Sequence, residues 1–278
     1  MRCQWLVATL AVGIGVSACG QEGDRPLDAN ESETAVASFV EQARQYAFSA
    51  DGKRFTFRER PVLNWGNPAR GSENGSIFVW TDRDAPVIIG TCFTYQSNGV
   101  ERKKNAFLLL STDPVEGRHR DRLMWRPDPV SLTYQRVPEA PPVGITAAQR
   151  TTQLRAMARR FGAVITLQDG RTEQCRLIPQ PLYRFDSGDH AGPCGAVFSM
   201  AVGTDPEAIL VIKRQHDDVG ESTWHYVFGR FTFYPVEGTL DGQSVWKVQL
   251  LENMVNSILT RPDYQRERYI TFRPDWLD

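Results

Sequence analysis

Two stretches of the chain carry apolar side chains at the spacing of an amphipathic helix. In the first stretch they are Val36, Phe39, Val40, Ala43 and Ala47, and in the second Leu154, Met157, Ala158 and Phe161. Polar residues occupy the opposite face of each stretch, so one side of each helix is expected to pack against a core. Asn30 with Glu33, and Thr146 with Gln149, have the spacing of capping boxes, which predicts a helix start at each pair.

Short runs rich in β-branched and aromatic residues follow each predicted helix. The first set of predicted strands covers residues 53–65, 76–81, 86–96, 104–112 and 122–126, and the second covers 171–185, 195–202, 207–215, 222–232 and 244–250. The runs are separated by turn residues such as Ser97-Asn98-Gly99. Such short connections predict that successive strands pair antiparallel.

The two parts of the chain also share residues at a nearly constant spacing of 120 or 121 positions. The matching segments are Pro61–Trp65 with Pro181–Phe185, Gly75–Phe78 with Gly195–Phe198, and Pro114–Gly117 with Pro235–Gly238, followed by Trp125 and Trp246. Most of the recurring residues are apolar or form turns. Recurring residues are therefore expected to serve packing, and function is expected among residues that occur only once.

These patterns predict an α+β fold of two tandem repeats, each an N-terminal helix packed on a curved antiparallel sheet of about five to six strands. The first repeat is predicted over residues 31–137 and the second over 146–278, with a Pro-rich linker at 138–145. Each repeat is expected to be closed by its own last strand, at 131–134 and 268–272.

The N-terminus has the features of an export signal over residues 1–19. Arg2 precedes an uncharged apolar run too short to span a bilayer, and the run ends in Val16-Ser17-Ala18-Cys19, which resembles a lipobox. This pattern predicts lipidation at Cys19, a membrane anchor and a location facing the periplasm or cell surface, with Gly20 favouring the outer membrane. An ordinary signal cleaved after Ala18 is the alternative. Residues 20–30 are polar and non-periodic, which predicts a disordered tether.

Composition narrows the choice of partners. The chain has 278 residues, 41% of them hydrophobic and 23% charged, and its formal net charge is −1. Basic and acidic residues are interspersed, so the basic surface of a nucleic-acid-binding protein is not expected. The locally basic segment Arg118–Arg122 falls in a predicted hairpin turn, where a solvated loop is the simpler interpretation.

Three cysteines remain besides Cys3 of the leader and Cys19. They are Cys92, Cys175 and Cys194, and their number allows at most one intramolecular disulfide. Buried free cysteines that act as small apolar residues are the alternative. Their spacing matches no zinc or redox motif.

Two further segments of the second repeat are distinctive, Leu177–Phe185 and Gly203-Thr204-Asp205-Pro206-Glu207-Ala208-Ile209-Leu210. They resemble segments of a family of uncharacterised exported proteins of planctomycete-type bacteria, and the resemblance is clearest over residues 154–246. The resemblance implies export, but it brings no activity, cofactor or catalytic residue to this chain.

The strongest candidate for a metal site lies on two turns of the second repeat. Asp189, His190, His216 and Asp217 fall on turns that an antiparallel meander brings to the same end of the sheet. Imidazoles and carboxylates together suit a divalent transition ion such as zinc. The plain alternative is a pair of solvated polar turns.

Aromatic residues offer a second candidate site. Trp65, Trp80 and Tyr95 have faces on which a sugar or peptide ligand stacks. Their positions in the repeat also suit simple packing, which is the alternative interpretation.

No motif of a hydrolase, nucleotide-binding protein or metalloprotease occurs in the chain. The sequence therefore favours a non-enzymatic cell-envelope lipoprotein that binds a protein or small-ligand partner, with no cofactor and no catalytic residue. The alternative is a metal-dependent hydrolase that uses the candidate zinc site on the turns of the second repeat.

Overall fold

The computed structural model describes residues 29–128, 132–188, 192–216, 220–251 and 266–274. These residues form two α-helices, α1 (Ala29–Arg44) and α2 (Ala147–Ala158), and a short 3₁₀ turn at Pro68–Arg70. Over the described ranges, neither helix combines the length and apolar character that a membrane-spanning helix requires.

The strands belong to three antiparallel sheets. The strands of the first half are β1 (Tyr46–Ala50), β2 (Lys53–Arg54), β3 (Thr56–Asn67), β4 (Ser72–Asp82), β5 (Ala85–Ser97), β6 (Val100–Leu109), β7 (Glu116–His119) and β8 (Arg122–Trp125). Those that follow are β9 (Gln135–Arg136), β10 (Phe161–Thr166), β11 (Thr172–Leu177), β12 (Tyr183–Asp186), β13 (Cys194–Val202), β14 (Asp205–His216), β15 (Ser222–Arg230), β16 (Val236–Leu240), β17 (Gln243–Val248) and β18 (Tyr269–Phe272).

The first sheet has the strand order β2-β1-β7-β8. The second has the order β18-β6-β5-β4-β3, and the third has the order β17-β16-β10-β11-β13-β14-β15-β9, with β12 paired to β13. We call residues 29–128 the N-terminal half and residues 147–251 the C-terminal half.

The predicted α+β fold of two repeats, each a helix packed on a sheet of five to six strands, is wrong. Strands account for 56% of the described residues and helices for only 13%, so the fold is mostly β. The sheets have four, five and nine strands rather than two equal sets. The antiparallel pairing of the strands was predicted correctly, because turns such as those between β4 and β5 and between β5 and β6 are only two residues long.

The error began where the predicted helical stripes were continued too far. Ala47 and Phe161, the last residues of the two stripes, lie in β1 and β10 rather than in helices. In β10 buried and half-buried residues alternate along Phe161–Thr166, which is the period of a strand with one face on a core. Strands β7 and β16 were also missing from the prediction, and they pair with β1 and β10.

The two predicted helix starts differ in outcome. Thr146 caps α2 with the full capping box, since its Oγ1 accepts from the Gln149 N–H at 3.2 Å and Gln149 Oε1 accepts from the Thr146 N–H at 3.0 Å. Helix α1 begins at Ala29, so Asn30 lies inside the helix rather than before it.

Three clusters of buried apolar side chains hold the sheets together. Residues of β4 alternate between two of them: Phe78 and Trp80 pack with α1, whereas Ile77 and Val79 face the C-terminal half. Strand β14 alternates in the same way, with Ile209 in the cluster between the halves. Both faces of the two long meanders are therefore buried, and the halves pack sheet on sheet.

The last strand of each predicted repeat pairs with the other half of the molecule. Strand β18 lies at Tyr269–Phe272, within the predicted 268–272, and pairs with β6 of the N-terminal half. In the first repeat the strand is β9 at Gln135–Arg136, just beyond the predicted 131–134, and it pairs with β15 of the C-terminal half. The prediction that each repeat is closed by its own last strand is therefore wrong. This exchange covers one edge of each meander and joins the halves through backbone hydrogen bonds.

Glycines opposite aromatic rings explain much of the recurrence in the sequence. Gly75 is the cross-strand partner of Trp65, and Gly195 is the partner of Phe185. A Cβ atom at either glycine would collide with the partner's ring, because it would lie 2.4 Å from Trp65 Cε2 at Gly75 and 2.6 Å from Phe185 Cζ at Gly195. The recurring glycine–aromatic pairs are therefore packing units.

Candidate functional site: a cavity between the halves

A cavity of about 270 Å³ lies where the sheet of the N-terminal half meets the β13–β14 hairpin of the C-terminal half. Both halves and β18 contribute side chains to its wall. The aromatic residues of the wall are Trp65, Phe93, Tyr95, Phe231, Phe233, Tyr234 and Tyr269, and its charged residues are Arg70, Lys104, Asp205 and Glu207. Aromatic walls with a few fixed polar groups are typical of small-molecule sites.

Arg70 is the centre of an ion-pair network at one end of the cavity. Its guanidinium donates to the carboxylate of Glu207 and to Glu173 Oε2 at 3.1 Å, and it lies 3.6 Å from Asp205 Oδ2. The network is well shielded, since the exposed fraction of the side chain is 19% for Arg70 and 2% for Glu207. Arg70 thus bridges the two halves across the cavity wall.

Backbone contacts fix the two segments that carry this network. The turn that follows Gly203 docks on the end of β3, where Thr204 Oγ1 donates to the Gly66 carbonyl at 2.7 Å. On the other side of the hairpin, the Phe231 N–H donates to the Glu207 carbonyl at 2.8 Å. These bonds hold the carboxylates of the hairpin in place before any ligand arrives.

Burial shifts the acid–base behaviour of the hairpin carboxyls. The pKa of Asp205 lies above its usual range because the group is desolvated and because Glu207 is close by. Desolvation also raises the pKa of Glu207, although the charge of Arg70 opposes the shift. Asp205 receives one further hydrogen bond, from Asn67 Nδ2 at 3.3 Å.

Lys104 is the second cation of the cavity, and it rises from β6 opposite Phe93. Its Nζ lies 5.3 Å from the centre of the Phe233 ring and 5.9 Å from that of Tyr95. Burial among these rings lowers the pKa of Lys104 to about 8. The ammonium is therefore held against aromatic faces rather than in water.

The aromatic residues that we considered as a ligand surface fall into two groups. Trp65 and Tyr95 line the cavity, and Trp65 Nε1 donates to Thr91 Oγ1 at 3.1 Å. Trp80 is instead packed in the core beneath α1, with its ring centre 5.0 Å from that of Phe48. Two of the three candidate aromatic residues, Trp65 and Tyr95, therefore lie on the cavity wall.

The charged residues of the cavity were missed at the sequence level. Arg70 and Lys104 lie far in the chain from Asp205 and Glu207, and no short motif connects the cations with the acids. One signal was present: Asp205-Pro206-Glu207 matches Ala85-Pro86-Val87 at the repeat spacing, so two acids stand where the first copy has apolar residues. A difference between copies at the same hairpin position marks residues that packing alone does not require.

The candidate metal site lies almost wholly outside the described residues. Asp189, His190 and Asp217 are not described, and only His216 is, at the exposed end of β14 with Nδ1 3.1 Å from Ser222 Oγ. Asp186, the last residue of β12 and three positions before Asp189, accepts hydrogen bonds from the guanidinium of Arg150 at 2.9 Å. Within the described ranges, no three histidine, cysteine, aspartate or glutamate side chains are grouped so that they could hold a metal ion. The zinc site stays a prediction.

The remaining candidates are resolved by burial. Cys92, Cys175 and Cys194 are all buried and free, as expected if they act as small apolar residues rather than in a disulfide. Part of the basic segment at Arg118–Arg122 belongs to β7 and β8 rather than to a loop, and His119 is buried with a ring nitrogen 2.9 Å from Gln45 Oε1.

Comparison with known proteins adds no relative to these observations. No family model, no curated protein and no solved structure matches this chain. The interpretation of the site therefore rests on its own geometry.

Proposed function

We propose that the protein is a non-enzymatic binding module of the cell envelope and that the cavity between its halves holds a small ligand. The observation that carries the proposal is the joint construction of the cavity: Trp65 and Lys104 come from one half, and Asp205 and Glu207 from the other. Burying polar groups around a cavity costs stability, and a cost of this kind is usually retained for function.

The ion-pair network favours binding over catalysis. A general acid or base must exchange its proton with a substrate, so its side chain must reach the reacting atom. Glu207 is instead engaged by Arg70, and Asp205 by Asn67. Carboxylates held by such partners are suited to fixing the position of the cavity wall rather than to transferring a proton.

The cavity is tested by filling it. Thr271 lies on the cavity wall, and Thr271→Tyr places a ring in the space. Ligand-observed NMR with benzoate, benzamide and benzylamine, recorded on the mature full chain, is expected to detect binding of at least one of them. The variant should lose that binding, whereas Thr271→Ser should keep it. Absence of binding by all three probes contradicts the proposed site.

The envelope location is a separate part of the proposal. Lipidation at Cys19, with residues 20–28 as a tether before α1, would hold the module near a membrane. Mass spectrometry of the mature N-terminal peptide is expected to find Cys19 carrying lipid, and Cys19→Ala should move the protein to the soluble fraction. An unmodified mature N-terminus at Cys19 contradicts the anchor but leaves the cavity proposal intact.

A further inference from the structure

The charges around the cavity are not equally satisfied. Arg70 is surrounded by carboxylates from Glu173, Asp205 and Glu207, so its charge is matched within the protein. Lys104 has no carboxylate in direct contact: in the described part of the chain none lies within 4 Å of its Nζ, and Asp205 acts on it only from a longer distance. Aromatic faces attract an ammonium, but they leave its positive charge uncompensated.

An anion that enters the cavity would therefore find one available cation. A carboxylate placed on Lys104 Nζ forms a charge-assisted hydrogen bond in a site that is largely shielded from water, where such a bond is strong. The burial that lowers the pKa of Lys104 to about 8 still leaves it mostly protonated at neutral pH. The amine is thus charged, and no carboxylate of the described residues touches it before a ligand binds.

A cationic ligand fits less well. Aromatic walls often form cages for cations, but Lys104 already places an ammonium against Tyr95 and Phe233. A second cation in the same space would be repelled by the first. The carboxylates that could attract it, Asp205 and Glu207, are already engaged by Asn67 and Arg70.

The size of the cavity limits the rest of the ligand. Pockets for drug-sized molecules measure roughly 300–1,000 Å³. The cavity measures about 270 Å³, so it suits a molecule with a single ring or a short branched chain. The rings of Trp65 on β3 and Phe93 on β5, whose centres lie 5.2 Å apart, provide an apolar wall beside Lys104 of β6.

We infer that the ligand of the cavity is a small organic monoanion, with its carboxylate on Lys104 Nζ and its apolar body against Trp65, Phe93 and Phe233. This inference rests on the proposed function and narrows it to one class of ligand. The anionic group supplies the direct contact with Nζ that no carboxylate of the described residues makes, and the aromatic walls supply most of the buried contact.

The test compares three probes that differ mainly in charge. Benzoate, benzamide and benzylamine share one ring and carry a negative, a neutral and a positive group. Binding is measured by calorimetry and ligand-observed NMR at one neutral pH, with the full mature chain and with Lys104→Met. Lys103→Met is the matched control, because Lys103 is the adjacent residue of β6 and its side chain is exposed outside the cavity.

Wild type is expected to bind benzoate at least tenfold more tightly than benzamide. Lys104→Met should lose at least tenfold in benzoate affinity and keep its affinity for benzamide, and Lys103→Met should behave as wild type. Retained benzamide binding also shows that Lys104→Met has folded. Equal affinity of wild type for benzoate and benzamide, or a preference for benzylamine, overturns the anionic ligand while leaving the cavity as a site. Binding of none of the three probes overturns the site itself.

Discussion

The two halves of the molecule carry the same hairpin in two chemical forms. In the β4–β5 hairpin the second strand begins with Ala85-Pro86-Val87, and in the β13–β14 hairpin it begins with Asp205-Pro206-Glu207. Each hairpin has one register shift at the same place in its ladder. The backbone bonds that follow also match, since Leu110 donates to the Val87 carbonyl as Phe231 does to the Glu207 carbonyl. Backbone geometry is therefore independent of whether the position is apolar or charged.

A second contrast concerns the lysine in each meander. Lys104 of β6 lies opposite Phe93 of β5; at the matching pair of the other sheet, His225 of β15 takes the place of Lys104, and Lys213 of β14 takes the place of Phe93. Lys213 Nζ is covered by the ring of Tyr134, 3.7 Å from its centre. The position that corresponds to Tyr134 in the exchanged strand β18 is Thr271, a smaller side chain that lines the cavity. One substitution of this kind distinguishes a filled site from an open one.

The topology that the two halves share sets where a cavity can form, whereas the residues that differ between them decide whether it does. The residues that recur between the halves, such as Gly75 and Gly195 with their aromatic partners, maintain the sheets. The charged residues of the cavity have no counterpart of the same kind across the repeat spacing. Loss of a shared residue should therefore affect stability, and loss of the unshared lysine should mainly affect binding.

The largest expected effect is on Arg70. Arg70→Met leaves the buried carboxylates of Asp205 and Glu207 without their cation and should lower the free energy of unfolding by about 3 kcal/mol or more. The matched control is Arg58→Met at the apolar hairpin, where the pair with Asp84 is exposed and contributes about 0–1 kcal/mol. Urea denaturation measures both. Equal losses would show that the two hairpins do not differ in their electrostatics.

The next effect compares the two glycine–aromatic pairs. At Gly195 an added Cβ would lie 2.5 Å from the Ile212 carbonyl oxygen, which is backbone, whereas at Gly75 the nearest atoms belong to the Trp65 ring. Backbone yields less than a side chain, so Gly195→Ala should cost about 3 kcal/mol and Gly75→Ala about 1–2 kcal/mol. Thermal unfolding of both variants tests this order, and the reverse order would contradict it.

The lysine of the cavity predicts a dependence of stability on pH. The folded-state pKa of Lys104, about 8, lies below the usual lysine value of 10.5, so between these values the unfolded chain binds more protons. Stability contributed by this group should therefore rise with pH over that window, by about 2 kcal/mol. The free energy of unfolding of wild type minus that of Lys104→Met, measured from pH 8 to 10.5, should show the rise. A flat difference would mean that the ammonium is well solvated.

The smallest effect concerns the helix of the C-terminal half. Thr146→Ala removes the side-chain half of the capping box and should lower the free energy of unfolding by about 1 kcal/mol. Thr146→Ser keeps the hydroxyl and serves as the control, with little change expected. A similar loss in both variants would assign the effect to the threonine methyl group rather than to the cap.

Much of the local structure follows from short-range patterns. The capping box at Thr146 and Gln149 was predicted because both of its hydrogen bonds join residues three apart. The hairpin between β5 and β6 was predicted from Asn98-Gly99, and both residues have positive φ as a two-residue turn requires. The strands at residues 46–50 and 161–166 were missed because each directly follows a helix and extends its apolar stripe.

The amino-acid sequence by itself determined the helical stripe of α2, the tight turns and the glycine–aromatic pairs, because each depends on neighbours a few residues away or on a visible repeat. The exchange of β9 and β18 and the ion pair between Arg70 and Glu207 arise only when the sheets assemble. Those contacts join residues about 90 or more positions apart, and no periodicity of the chain encodes which edges pair. The cavity exists because sheets from the two halves stack face to face, so its chemistry emerges only when both are assembled.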